Sequence, residues 1–279
     1  MSDAAIHSRP FEYPASGRVR TGTLFQSSRD GTVPRPAVVV VHGLFVNRSL
    51  PEIDLFCRRL AEAFDVVSVD MRGHGEGPGL FTWGREEQAD LADLIRFLRA
   101  LHPSIGVAGF SFGGDVAIFS VALARQRQDA VLPDAVCTIG APAHLDLWRY
   151  RLRPLGWAAH VKMILRHGRR RFVPGWPRLR WRRAVDLVGA VSPIPLLIIH
   201  GEADWLVHPS QASQLYAAAG PPKDLILLPG LAHAEQMMAQ DPDALVRPVM
   251  EFFIRALAGA APVTAGGGSP EVSFTRDRS

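Results

Sequence analysis

Ser111 sits at the centre of Gly109-Phe110-Ser111-Phe112-Gly113, a hydroxyl held between two glycines. A short β-branched and apolar run from Ile105 leads into this pentapeptide, and an apolar segment long enough for a helix, Val116 to Ala124, follows it. Strand, sharp turn and helix in that order are the context in which Gly-x-Ser-x-Gly becomes a nucleophile elbow. Such a turn strains its central residue and leaves little space for β-carbons, which is a physical reason for Gly109 and Gly113. Outside that context the same five residues are a glycine-rich turn with an incidental serine.

A serine hydroxyl is a poor nucleophile at neutral pH, so it needs a base to take its proton and a third group to orient that base. The chain holds ten histidines. His233 follows the last apolar run, in Leu228-Pro229-Gly230-Leu231-Ala232-His233, and is the first candidate; His208 is the alternative. Asp204, in His200-Gly201-Glu202-Ala203-Asp204, can accept an imidazole N–H and stabilise the imidazolium as it forms, with Glu202 and Asp146 in reserve. His42 and His74 read as braces of neighbouring turns.

The elements that must position these groups alternate regularly. Strands are expected at Val19–Gln26, Ala37–Gly43, Val66–Asp70, Ile105–Gly109, Ala135–Gly140, Pro195–Gly201 and Leu225–Leu228. The unbroken run Ala37-Val38-Val39-Val40-Val41 suits a strand buried on both faces of a parallel sheet. Between them, Ile53, Phe56, Leu60 and Phe64 recur at helical spacing behind Pro51, and Arg85–Leu101 carries one apolar stripe. Further helices are expected over Ser210–Ala219 and from Asp241-Pro242 to Leu257. Alternation of this kind implies an α/β fold: a mostly parallel central sheet of about eight strands covered by helices on both faces. Functional residues of such sheets gather beyond the carboxyl ends of the strands, where Ser111, Asp70, Asp204 and His233 all fall.

At 279 residues the chain can bury one large core, and no linker divides its interior. We expect a single α/β domain over residues 1–258 and a flexible Gly-, Ala-, Pro- and Ser-rich tail over 259–279. The first residues hold no apolar core of signal-peptide length, and no apolar run approaches the roughly 20 residues that span a bilayer. Two cysteines, Cys57 and Cys137, are too few for a disulfide framework. A cytoplasmic protein is the expectation.

Five pieces together carry a resemblance: His42-Gly43-Leu44, Asp70-Met71-Arg72-Gly73-His74-Gly75, Gly109-Phe110-Ser111-Phe112-Gly113-Gly114, His200-Gly201-Glu202-Ala203-Asp204 and Gly230-Leu231-Ala232-His233. In this order and spacing, over residues 19 to 258, the chain resembles the α/β-hydrolase fold superfamily, whose catalytic groups run Ser, Asp or Glu, His along the chain. The resemblance implies Ser111 as nucleophile, Asp204 as acid and His233 as base, with the N–H groups of Leu44 and Phe112 forming an oxyanion hole. Glu76 stands where that family often has serine, which touches no catalytic position. Dehalogenase and epoxide-hydrolase branches carry aspartate at the position of Ser111 and are set aside. Esterases, thioesterases, lipases, amidases, C–C bond hydrolases and cofactor-free perhydrolases remain. A carboxylic ester or thioester hydrolase working through an acyl-enzyme is the leading expectation. A lipase-like or acyl-thioesterase enzyme on anionic or membrane-presented substrates is the alternative, with a catalytically silent binding protein behind it. No metal or organic cofactor is implied.

The rhythm breaks over about 144–190, an insertion expected to form a lid. It holds Trp148, Trp157, Trp176 and Trp181 and 12 Lys and Arg against Asp146 and Asp186. Substrate contacts are expected from Phe45, Phe110, Trp148, Trp157 and Trp205. The arginines fit three readings: solvated or internally paired charge, an electropositive mouth for an anionic ester or acyl-carrier thioester, or contact with an anionic membrane surface. Nucleic acid is not an expected partner, because no recognition motif accompanies the charge. Oligomeric state stays open.

Overall fold

The computed structural model describes residues 5–28, 34–144, 172–175 and 183–258. Most of the insertion, with Trp148 and Trp157, and the expected tail over 259–279 lie outside the described residues. Eight strands form one sheet: β1 (Ile6–Ala15), β2 (Arg18–Ser27), β3 (Ala37–Val41), β4 (Asp65–Val69), β5 (Ile105–Phe110), β6 (Ala135–Ile139), β7 (Leu196–Gly201) and β8 (Lys223–Leu228). Their order is β1-β2-β4-β3-β5-β6-β7-β8. Pairing is antiparallel for β1 with β2 and β2 with β4, and parallel from there to β8.

Strand side chains alternate between faces, so each strand feeds two cores. Val39, Val41 and Val107 point to one face, where they meet Leu91 and Leu94 of α2 (Glu87–Arg99) and Val116 and Phe119 of α3 (Phe112–Gln126). The short helix α4 (Ala184–Leu187) and α5 (Ser210–Ala218) add Ala184 and Leu215 to that side. Val38, Val40 and Ala108 point the other way, onto Phe56 of α1 (Pro51–Leu60), Met237 of α6 (Glu235–Gln240) and Phe253 of α7 (Pro242–Leu257). Both faces are therefore covered, as the apolar strand runs require.

Strand β1 has no counterpart among the sequence-derived elements. It pairs residue by residue with β2 from Ile6–Ser27 to Ala15–Arg18, but it is an edge strand and most of its side chains are exposed. Pro10 and Pro14 lie within it, which an edge tolerates because one side needs no ladder donors. The acids at the start of α2 serve more than the helix dipole. Glu87 accepts the N–H groups of Thr82 and Gly84 at 2.6 and 2.8 Å. Asp90 takes Arg20 and both the Nε and Nη2 of Arg72 at 3.0, 2.7 and 2.6 Å. These buried pairs tie the loop after β4 to α2.

Residues 172–175, a described piece of the insertion, run beside that same loop. Val173 N–H donates to Gly73 O at 2.7 Å, Phe81 N–H to Val173 O at 2.9 Å and Gly175 N–H to Phe81 O at 2.7 Å. The insertion is thereby stitched to the loop after β4 by main-chain bonds that no side-chain pattern announces.

Close packing of α3 on β3 makes a stability prediction. A β-carbon on Gly113 would lie 2.3 Å from Val41 O and 2.6 Å from His42 O, both backbone, whereas one on Gly189 would meet only Ala218 O at 3.5 Å. Gly113→Ala should cost at least about 1–3 kcal/mol of unfolding free energy in urea titrations, while Gly189→Ala stays within about 1 kcal/mol of the parent. Equal costs for the two variants would contradict this packing.

Candidate active site

Every strand of the parallel set delivers its following loop to one edge, and the chemistry-bearing residues collect there. Ser111 stands between β5 and α3 with φ 49° and ψ −120°, in the left-handed region that a non-glycine residue enters only under constraint. The constraint is local crowding. A β-carbon on Gly109 would fall 2.4 Å from the carbonyl carbon of Gly113. Ser111 N–H donates to Ile139 O at 2.8 Å, and Gly114 N–H donates to Ser111 O at 2.9 Å to open the helix.

His233 reaches this serine from the loop after β8, with Nε2 2.9 Å from Ser111 Oγ. Its Nδ1 lies 2.7 Å from Asp204 Oδ2, in the loop after β7. With Nδ1 protonated toward the carboxylate, Nε2 is free to accept the serine O–H. Asp204 is buried, and burial alone would raise its pKa. The charge of His233 and hydrogen bonds from His200 and His233 overcome this and hold the carboxyl well below the usual carboxylate range. Its Oδ1 also accepts the N–H groups of Leu206 and Val207 at 2.9 and 2.8 Å. Burial likewise would lower the His233 imidazole, but Asp204, by charge and hydrogen bond, with the charge of Glu235 behind it, lifts it above its ordinary value.

His200 has a part that its place in a motif did not reveal. This fully buried imidazole, at the end of β7, places Nε2 2.9 Å from Val207 O and 3.0 Å from Asp204 Oδ2. A carbonyl can only accept, so Nε2 carries the proton and shares it with the carboxylate. Two imidazoles thus converge on one oxygen of Asp204.

The loop after β3 runs past the serine. His42 donates from Nδ1 to Gly43 O at 2.7 Å and accepts Met71 N–H on Nε2 at 3.0 Å. His74 accepts Phe45 N–H on Nε2 at 3.3 Å. Burial pushes their pKa values down to about 4 for His42 and about 3 for His74, so both are neutral braces. The N–H groups of Leu44 and Phe112 donate to no acceptor among the described residues.

Other sequence candidates fall in different places. Phe45, at φ 67°, sets its ring edge-on to Phe172 with centroids 4.8 Å apart. Trp205 donates from Nε1 to Gln236 Oε1 at 3.2 Å, beside the His233 loop. Phe110 is a correction: it is 0% exposed and packs edge-on to Phe56 of α1 in the core, because strand alternation turns its side chain to the α1 face of the sheet. His208 is exposed and pairs with the Ser210 hydroxyl, so the alternative base is not at the serine. Asp146, like Trp148 and Trp157, lies outside the described residues. Arg183, the one arginine or lysine of the insertion among the described residues, pairs with Asp186 at 2.7 Å. Among the described residues no cluster of three or more His, Cys, Asp or Glu side chains could hold a metal ion. No helix among them is long and apolar enough to cross a membrane.

Comparison with known proteins places residues 38–248 within the model of an alpha/beta hydrolase family. A segment of 72 residues is 37% identical to the uncharacterized protein YfhR of Escherichia coli K12, covering 26% of this chain and 25% of that protein, so the match spans a quarter of that relative's length. Over 256 residues the chain is 25% identical to the pimeloyl-[acyl-carrier protein] methyl ester esterase of Nitrosospira multiformis, covering 78% of this chain and 94% of that one. Among solved structures, the esterase Pf2001 of Pyrococcus furiosus is similar in fold, with a TM-score of 0.68 at 18% identity over 90% of this chain and 92% of that chain.

The site makes a prediction independent of any substrate. In an NMR pH titration the His233 imidazole should protonate with a midpoint above about 6.5, and Asp204→Asn should lower that midpoint. A wild-type midpoint below the ordinary value, or one indifferent to Asp204→Asn, would mean that the pair does not act as described.

Proposed function

Because the chain belongs to the α/β hydrolase family, we propose that it is a serine hydrolase that cleaves a carboxylic ester or thioester through an acyl-enzyme on Ser111. The observation that carries this reading is the hydrogen-bonded relay Ser111–His233–Asp204, at 2.9 and 2.7 Å, on a serine held at a left-handed turn. Ser111 Oγ attacks the carbonyl carbon while His233 Nε2 takes its proton. The imidazolium so formed is stabilised by Asp204, which stays ionised. Leu44 and Phe112 offer their N–H groups to the oxyanion of the tetrahedral intermediate, and donors of this type are worth about 3–4 kcal/mol each where one has been removed. His233 then protonates the leaving group, and water activated by the same imidazole releases the acyl group and restores Ser111.

Ester chemistry is favoured over the other reactions of the fold by the sequence relative named above, a methyl ester esterase that matches most of this chain. Phe45 and Trp205 border the loops that carry the oxyanion donor and the acid, and they suit an acyl part of apolar character. A lid-dependent lipase or acyl-carrier thioesterase would use the same chemistry with a different leaving group.

Ser111→Ala should abolish hydrolysis of short p-nitrophenyl esters and labelling by a fluorophosphonate probe, with circular dichroism unchanged. Wild-type turnover in that variant would overturn the assignment, and an unlabelled wild type would favour a silent binding protein on the same fold.

A further inference from the structure

Glu235 is a carboxyl in the interior, 6% exposed, two residues beyond His233. Acids are rarely buried without a cationic partner, since an ion taken out of water loses several kcal/mol of solvation. No lysine or arginine pairs with Glu235 among the described residues. Its Oε1 instead accepts the N–H of Gly43 at 2.9 Å, across 192 positions of sequence. A β-carbon on Gly43 would lie 2.4 Å from Glu235 Oε1 and 3.2 Å from Ser111 Cβ. The carboxyl and the nucleophile are therefore separated by the thickness of one glycine.

The same hydrogen bond pins one end of a three-residue stretch. Glu235 holds Gly43 N–H, His42 Nδ1 donates to Gly43 O at 2.7 Å, and His74 holds Phe45 N–H at 3.3 Å. The N–H between the two held ones belongs to Leu44. Ala234, between His233 and Glu235, has φ 39°. This turn lets the segment present the imidazole to Ser111 and, two residues on, the carboxyl to Gly43.

We infer that Glu235 is a positioning residue that clamps the Gly43–Phe45 loop through Gly43 N–H, so that the Leu44 N–H faces the oxyanion formed at Ser111. The inference rests on the serine-hydrolase reading and deepens it: one short segment sets both the base and the oxyanion donor. The clamp works by accepting a hydrogen bond, so any acceptor of the same reach serves. Burial raises the Glu235 carboxyl above its usual range, while the His233 charge and the Gly43 N–H oppose that shift and Glu52 adds to it.

The test compares Glu235→Gln, which keeps an acceptor, with Glu235→Leu, which fills the space without one. Turnover of a p-nitrophenyl ester and amide exchange at Gly43 are measured on the full chain. Because the oxyanion contact strengthens in the transition state, Glu235→Leu should lower kcat on the order of 100-fold with KM little changed, and Glu235→Gln should recover most of the loss. Gly43 amide protection should survive in Gln and vanish in Leu. Loss of turnover in Gln as deep as in Leu, or an undiminished kcat in a folded Leu variant, would overturn the proposal. If Glu235→Leu does not fold, the wild type and Gln decide: an unprotected Gly43 amide in the wild type defeats the clamp. If the wild type cleaves no ester, the hydrolase reading fails alone, and Gly43 exchange across the variants still decides whether the clamp exists.

Discussion

A carboxylate removed from water is stable only when its lone pairs are filled, and Asp204 meets that requirement with four donors. Two backbone N–H groups, from Leu206 and Val207, hold one oxygen, and His200 and His233 share the other. The loop after β7 is shaped by these bonds, and the loop after β8 is drawn to it through His233. Once His233 is held by Asp204, its second nitrogen has a single direction, and Ser111 lies along it. The order of dependence runs from a buried charge to an oriented imidazole to a hydroxyl with an acceptor.

The serine answers to a different constraint. Its backbone is bent into the left-handed region because β5 and α3 meet without space for a β-carbon at Gly109 or Gly113. Backbone sterics thus aim the hydroxyl, and electrostatics aim the imidazole. Neither arrangement needs the other to form, but only the sheet, by ending six parallel strands at one edge, brings their products within hydrogen-bond distance. The loop after β3 completes the edge. Neutral His42 and His74 act there as hydrogen-bonding spacers, which is a use for histidine that depends on burial lowering its pKa.

Charge elsewhere in the molecule braces loops. Arg72, Arg20 and Asp90 form a buried set beneath the loop after β4, and Glu87 ties the same loop to the start of α2. Residues 172–175 of the insertion lean on that loop through main-chain bonds, with Phe172 against Phe45 and His74 at 4.8 Å in each case. The aromatic neighbourhood of the site is therefore assembled from three distant stretches, the loops after β3 and β4 and the insertion.

What the amino-acid order determined by itself was the kind of fold and the chemical kinds of the candidate site residues. Unbroken β-branched runs suit doubly buried strands, apolar residues at helical spacing suit helices that cover them, and two glycines around Ser111 fit a crowded turn. Those are short-range statements, and they hold from β2 to β8. Strand β1 escaped them because an exposed edge has no burial pattern to display. Phe110 was misplaced because proximity in sequence to Ser111 says nothing of which face a strand side chain takes. Tertiary structure alone decided that His233 rather than His208 meets Ser111 across 122 positions, that His200 joins Asp204, and that Glu235 reaches Gly43. These are long-range contacts whose geometry follows from how loops leave a twisted sheet, and no periodicity along the chain encodes the direction in which a loop side chain points.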